Sequence, residues 1–99
     1  MTLDELRGSL AAPEPPARIG APLTALWHDA HGDWARAHEV VMNAKGRDAA
    51  WVHAYLHRKE GDLPNARYWY RAARQPEFDG TLEAEWAAIA AVLLETDVR

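Results

Sequence analysis

Ninety-nine residues, 48% hydrophobic and 26% charged, make one small globular domain with little surface to spare. A formal net charge of −4 with histidine neutral gives no field to attract phosphate, which argues against nucleic acid and anionic membranes as partners. There is no cysteine, so disulfides, thiolate chemistry and cysteine–zinc sites are excluded.

Residues 1–11 read as a short helix, with Thr2 and Glu5 at capping-box spacing and Leu3, Leu6 and Leu10 on one face. The acids of Met1-Thr2-Leu3-Asp4-Glu5 stand where a signal peptide has bases. The longest apolar run, Trp86–Leu94, is far short of the roughly 20 residues that span a bilayer. A cytoplasmic protein without membrane association is the expectation. Pro13-Glu14-Pro15-Pro16 cannot continue a helix, so residues 12–22 form a linker from which the first helix docks loosely or not at all.

The remaining residues, 22–99, form a helical domain. Its first helix, 22–31, aligns Leu23, Leu26, Trp27 and Ala30. Asp33 caps the next, 34–45, with Trp34, Ala37, Val41 and Ala44 inward. Asp48 caps helix 49–60, whose apolar face holds Trp51, Val52, Tyr55 and Leu56. Asp62 caps helix 63–74, which turns Ala66, Trp69, Tyr70 and Ala73 inward. The last helix, 81–95, aligns Leu82, Trp86, Ile89 and Leu93 and is expected to pack on the second helical pair. No stretch alternates as a strand does. Trp34, Trp51, Trp69 and Trp86 are expected to be mostly buried, and Trp27 at least partly.

An internal repeat runs through the centre. Gly32-Asp33 and Gly61-Asp62 each precede an alanine–large–alanine series, Ala37, Val41, Ala44 and then Ala66, Tyr70, Ala73, at a period of 29 residues. This resembles the tetratricopeptide repeat, which implies an all-α fold of antiparallel helix pairs, a short α-solenoid. The repeat's usual period is longer. Where its first helix usually presents apolar residues, this chain has His53 and His57.

His53, His57 and Glu60 fall within one narrow arc of their helix, and helix 34–45 adds His38-Glu39. Two histidines at i, i+4 can share a metal ion. The zincin motif, however, needs Glu directly after the first His, and here Ala54 follows. No metal and no cofactor is assigned on sequence. The structural reading makes these rings half-buried polar packers, and the functional reading makes them a ligand site. His28 and His31 are expected to be exposed or half-exposed and uninvolved. Arg67, Arg71 and Arg74 form a stripe opposite Trp69, while segment 77–98 holds six acids and no base. These are expected to attract one another or to be solvated faces.

The stretch Trp51-Val52-His53-Ala54-Tyr55-Leu56-His57-Arg58-Lys59-Glu60-Gly61-Asp62, with Asn65-Ala66-Arg67-Tyr68-Trp69-Tyr70-Arg71, resembles a family of small bacterial and fungal proteins of unknown function. Ala37-His38-Glu39 resembles its upstream element. This chain departs at Val52 and Ala72, the latter where the family pattern tends to a second arginine. The resemblance implies no activity. It draws attention to His38, Glu39, His53, His57, Arg58, Glu60, Asn65, Tyr68 and Arg71 as binding residues.

Two functions are compatible with these features. The first is a non-enzymatic repeat module that binds a protein or peptide, or pairs with a second copy through its C-terminal helix. The alternative is a small-ligand or enzymatic pocket on His38, His53 and His57, with Arg58 or Arg71 holding an anion. No catalytic nucleophile is evident: the only serine is Ser9, beyond the proline linker.

Overall fold

Two Gly-Asp turns fold the centre of the chain into a pair of helical hairpins. α2 (Ala21–Ala30) turns through His31-Gly32-Asp33 into α3 (Trp34–Met42), and α4 (Arg47–Glu60) turns through Gly61-Asp62 into α5 (Leu63–Ala73). Gly32 and Gly61 adopt φ of +92° and +90°, a left-handed geometry that any side chain would strain. Asp33 then accepts the backbone N–H of Arg36 at 3.0 Å, and Asp62 that of Asn65 at 3.3 Å, capping α3 and α5. The turns are tight enough that the helices of each hairpin run antiparallel and pack along their length. Ala37 and Val41 in α3, and Ala66, Tyr70 and Ala73 in α5, are buried in these seams.

The computed structural model describes residues 1–97, so the last two residues of the expected helical domain lie outside it. Around the hairpins lie α1 (Leu3–Gly8), continued by a 3-10 turn (Ser9–Ala11), and α6 (Leu82–Asp97). Six α-helices and no strand are present among the described residues, and no helix there is long and apolar enough to cross a membrane. α3 stops at Met42, earlier than its periodicity predicts, because the Asn43 side chain donates to the Glu39 carbonyl and closes the helix. α4 starts at Arg47 with Gly46 as its cap, which leaves Asp48 in the first turn, where an acid suits the helix dipole.

The first helix is not loose. Leu6 is fully buried in the main core, Leu3, Leu10 and Ile19 pack on it, and the Trp27 indole donates to Ser9 Oγ at 3.1 Å. His31, expected to be uninvolved, stacks on Trp27 with ring centroids 4.4 Å apart and donates to the Ala12 carbonyl at 3.1 Å. The linker is therefore held at both ends.

α6 packs on the second hairpin, as expected, through α4, and reaches beyond it. It lies against α4, α2 and α1, burying Trp86, Ile89, Ala90, Leu93 and Leu94. The Trp86 indole donates to the Leu26 carbonyl at 2.9 Å. α4 thus packs against α2, α3, α5 and α6, and eight of its residues are buried. The tryptophans divide differently from expectation. Trp27 (1% exposed) and Trp86 (6%) are the core residues, while Trp34, Trp51 and Trp69 are half-buried.

Candidate functional site

The seam where α3 and α5 meet α4 carries polar rings instead of aliphatic side chains. His53 and His57, one turn apart on α4, are both buried, and His38 reaches them from α3. The ring centroids lie 4.8 Å apart for His38–His53, 4.8 Å for His53–His57 and 5.1 Å for His38–His57. The Nε2 atoms of His38 and His53 are 3.1 Å apart, so one ring donates its N–H and the other accepts. With one nitrogen taken from each ring, all three lie within 4.8 Å of one another.

Tryptophans wall the cluster. Trp34 stacks on His38, with centroids 5.0 Å apart and planes 8° apart, and its indole donates to the Leu56 carbonyl at 2.9 Å. Trp69 stacks on His53 with centroids 4.0 Å apart. Helical periodicity gives the direction of Trp69 correctly but not its depth: the ring stops on a histidine at the rim of the seam. The two stacking partners were missed on sequence as members of the site. The signal was the i, i+4 spacing of Trp34 and His38.

His57 is wired on both sides. Its Nδ1 lies 3.2 Å from Glu60 Oε1, and its Nε2 3.3 Å from Asn65 Nδ2. A carboxylate only accepts, so Nδ1 carries the proton and Nε2 holds the lone pair that the Asn65 amide meets. Asp62 Oδ2 accepts from the same amide at 3.5 Å. This carboxylate–histidine arrangement fixes tautomer and ring orientation.

The electrostatics favour unprotonated rings. Burial, then the neighbouring His57 and His38, pushes His53 down from 6.5 to about 4. His38 is lowered by partial burial and by His57, against a smaller opposing pull from Glu60. At neutral pH both rings therefore offer lone pairs rather than charge.

The remaining sequence candidates lie elsewhere. Glu39 is exposed, because its place directly after His38 turns it about 100° around α3; the acid at the rings is Glu60. Arg58 points the other way, donating to Glu85 Oε1 at 2.8 Å and to the Gly80 carbonyl, so it is not available to hold an anion at the cluster. Arg71 is exposed on the face of α5 opposite Trp69. Tyr68 is 56% exposed and sets its edge against Trp69 at 5.1 Å. Among the described residues the arginine stripe meets the acids through the exposed Arg67–Glu77 pair at 3.4 Å, which contributes little.

Two buried carboxylates escaped the sequence reading. Glu85, fully buried, accepts from Arg58 and from the Tyr70 hydroxyl. Asp29 accepts from the Tyr55 hydroxyl at 2.7 Å and from Lys59 at 3.0 Å. Each sits at a stripe position of its helix, which was the available signal. A cleft of about 640 Å³, lined among others by Arg7, Asp29, Tyr55, Lys59 and Trp86, opens between α1, α2, α4 and α6. Both Asp29 oxygens already have donors there. Neither that cleft nor a smaller one at the N-terminus includes a ring of the histidine cluster. No family model, no curated protein and no solved structure matches this chain.

Proposed function

We propose that this chain is a metal-binding helical domain in which His38, His53 and His57 hold one divalent transition-metal ion of the zinc class. The observation that carries the reading is the 3.1 Å separation of the His38 and His53 Nε2 atoms, with a nitrogen of His57 within 4.8 Å of both. Metal–nitrogen bonds of about 2.0–2.1 Å put tetrahedral neighbours about 3.3 Å apart and octahedral neighbours about 2.9 Å apart, and 3.1 Å falls between. The lowered His38 and His53, the Glu60–His57 contact and a donor set of imidazole alone all suit zinc, copper, nickel or cobalt over magnesium or calcium. Binding both Nε2 atoms requires one ring to move its proton to Nδ1, a tautomer change that releases no net proton.

The scaffold is best read as a shortened pair of tetratricopeptide-like units, on the repeated Gly-Asp turn and the alanine-lined seams. Such units leave their inner helices open for a peptide. Here α6 packs against both α2 and α4. The apolar stripe of α6 is likewise used within the chain.

Isothermal titration of zinc into metal-stripped protein tests the reading. One ion per chain is expected, with binding lost in His53→Ala and His38→Ala and no response to magnesium. Absence of zinc binding by the parent, or equal binding by both variants, would overturn it.

A further inference from the structure

The histidine cluster stops at three ligands. Two donor groups among the described residues share His57: His38, His53 and His57 on one side, and His57, Glu60 and Asp62 on the other; for an ion held by the three rings Glu60 is engaged behind His57 at Nδ1 and adds no fourth ligand. Closed structural sites supply four ligands from the protein, whereas three leave a position for water or substrate.

Asn65 stands beside that position. Its Nδ2 meets His57 Nε2 at 3.3 Å, using the lone pair that an ion would take. Its orientation is held by Asp62 Oδ2 at 3.5 Å, and Asp62 also caps the Asn65 backbone N–H at 3.3 Å. Once the ion takes the His57 lone pair, an amide N–H is left beside the metal without its acceptor. A fourth ligand with an oxygen or nitrogen lone pair satisfies it.

Charge and space define that ligand. Three neutral imidazoles leave an ion its full 2+ charge, offset only through Glu60 and Asp62 behind His57, so an anion is favoured over a neutral donor. Trp34 and Trp69 stack on His38 and His53 and wall the rings, which favours a small ligand.

Building on the metal reading, we propose that the ion keeps an exchangeable fourth position for a small monodentate anion or an ionised water, with Asn65 as the positioning residue that hydrogen-bonds it. An exchangeable position separates a centre that can act on a ligand from one that only holds the fold.

The test uses the full chain loaded with cobalt(II) and titrated with azide, followed by visible absorption. The parent should show a four-coordinate spectrum that azide shifts saturably. Asn65→Ala, and Asn65→Ser as a second variant, should still take up one cobalt ion per chain but, once loaded, need about tenfold more azide, the effect of one lost hydrogen bond of about 1.4 kcal/mol. A cobalt spectrum that is abolished by His53→Ala but indifferent to saturating azide would overturn the open position. Equal azide affinity in parent and folded Asn65 variants would remove Asn65 from the assignment. A parent that takes up no cobalt would instead overturn the metal reading on which this one rests.

Discussion

At the residue scale, His53 is a buried ring whose environment disfavours its charged form. A leucine in its place would gain more from burial and leave no nitrogen in need of a partner. Its imidazole is held neutral, with a pKa near 4 against 6.5 when exposed. The sign follows from proton uptake: below pH 6.5 the unfolded chain binds a proton that the folded chain refuses. The metal-free protein should therefore lose stability as pH falls from 6.5 towards 4, by an amount on the order of a few kcal/mol. Urea denaturation across that range checks it, and His53→Leu should flatten the dependence. The tryptophans make a second contrast. Trp27→Ala, removing a ring 1% exposed, should cost about 3–5 kcal/mol and threaten the fold. Trp69→Ala should cost less and act chiefly on the stacked His53. Equal melting losses would contradict this division. The convergence of His38, His53 and His57 was legible because two of them share a helix face and the third lies on the adjoining helix. The ring depths were not. Periodicity gives a side chain's azimuth, and whether a neighbouring ring stops it short depends on packing between helices.

At the scale of elements, the Gly-Asp turns were readable because their chemistry is local: a left-handed glycine followed by a capping aspartate. The packing of α6 on the second hairpin was legible from its apolar stripe, but its further packing on α2 and α1 and the carboxylate that ties it down were not, because they depend on distant partners. Glu85 joins Arg58 of α4 to Tyr70 of α5, and Arg58 also holds the Gly80 carbonyl ahead of α6. The Tyr70 hydroxyl is raised by burial and by this carboxylate, which keeps it a donor. Removing one member of a buried pair strands the other. Glu85→Leu should therefore destabilise the protein by about 3–5 kcal/mol in chemical denaturation, and a loss under 1 kcal/mol would show the network to be dispensable. The N-terminal helix is a second case. Its docking on Trp27 through Ser9 and the burial of Leu6 could not be read through a proline linker. Deleting residues 1–11 should lower the melting temperature and expose Trp27, seen as a red-shifted emission; an unchanged melt would place the segment outside the cooperative fold.

At the scale of the whole molecule, α4 is the axis: every other helix of the hairpins and α6 packs on it, and its face toward α3 and α5 carries the imidazoles. A bound ion would cross-link α3 and α4, the two hairpins, at their shared seam, so metal and fold should be coupled. The most direct measurement is thermal melting of metal-stripped protein with and without zinc, in the parent and in His53→Leu/His57→Leu. Zinc at about a hundredfold over its dissociation constant should add about 2.7 kcal/mol, raising the parent's midpoint by roughly 10 °C or more. The double variant should melt no lower than the metal-free parent and ignore zinc. A parent unmoved by zinc, with a double variant that melts markedly lower, would show the three rings to be a hydrogen-bonded core network and contradict the account.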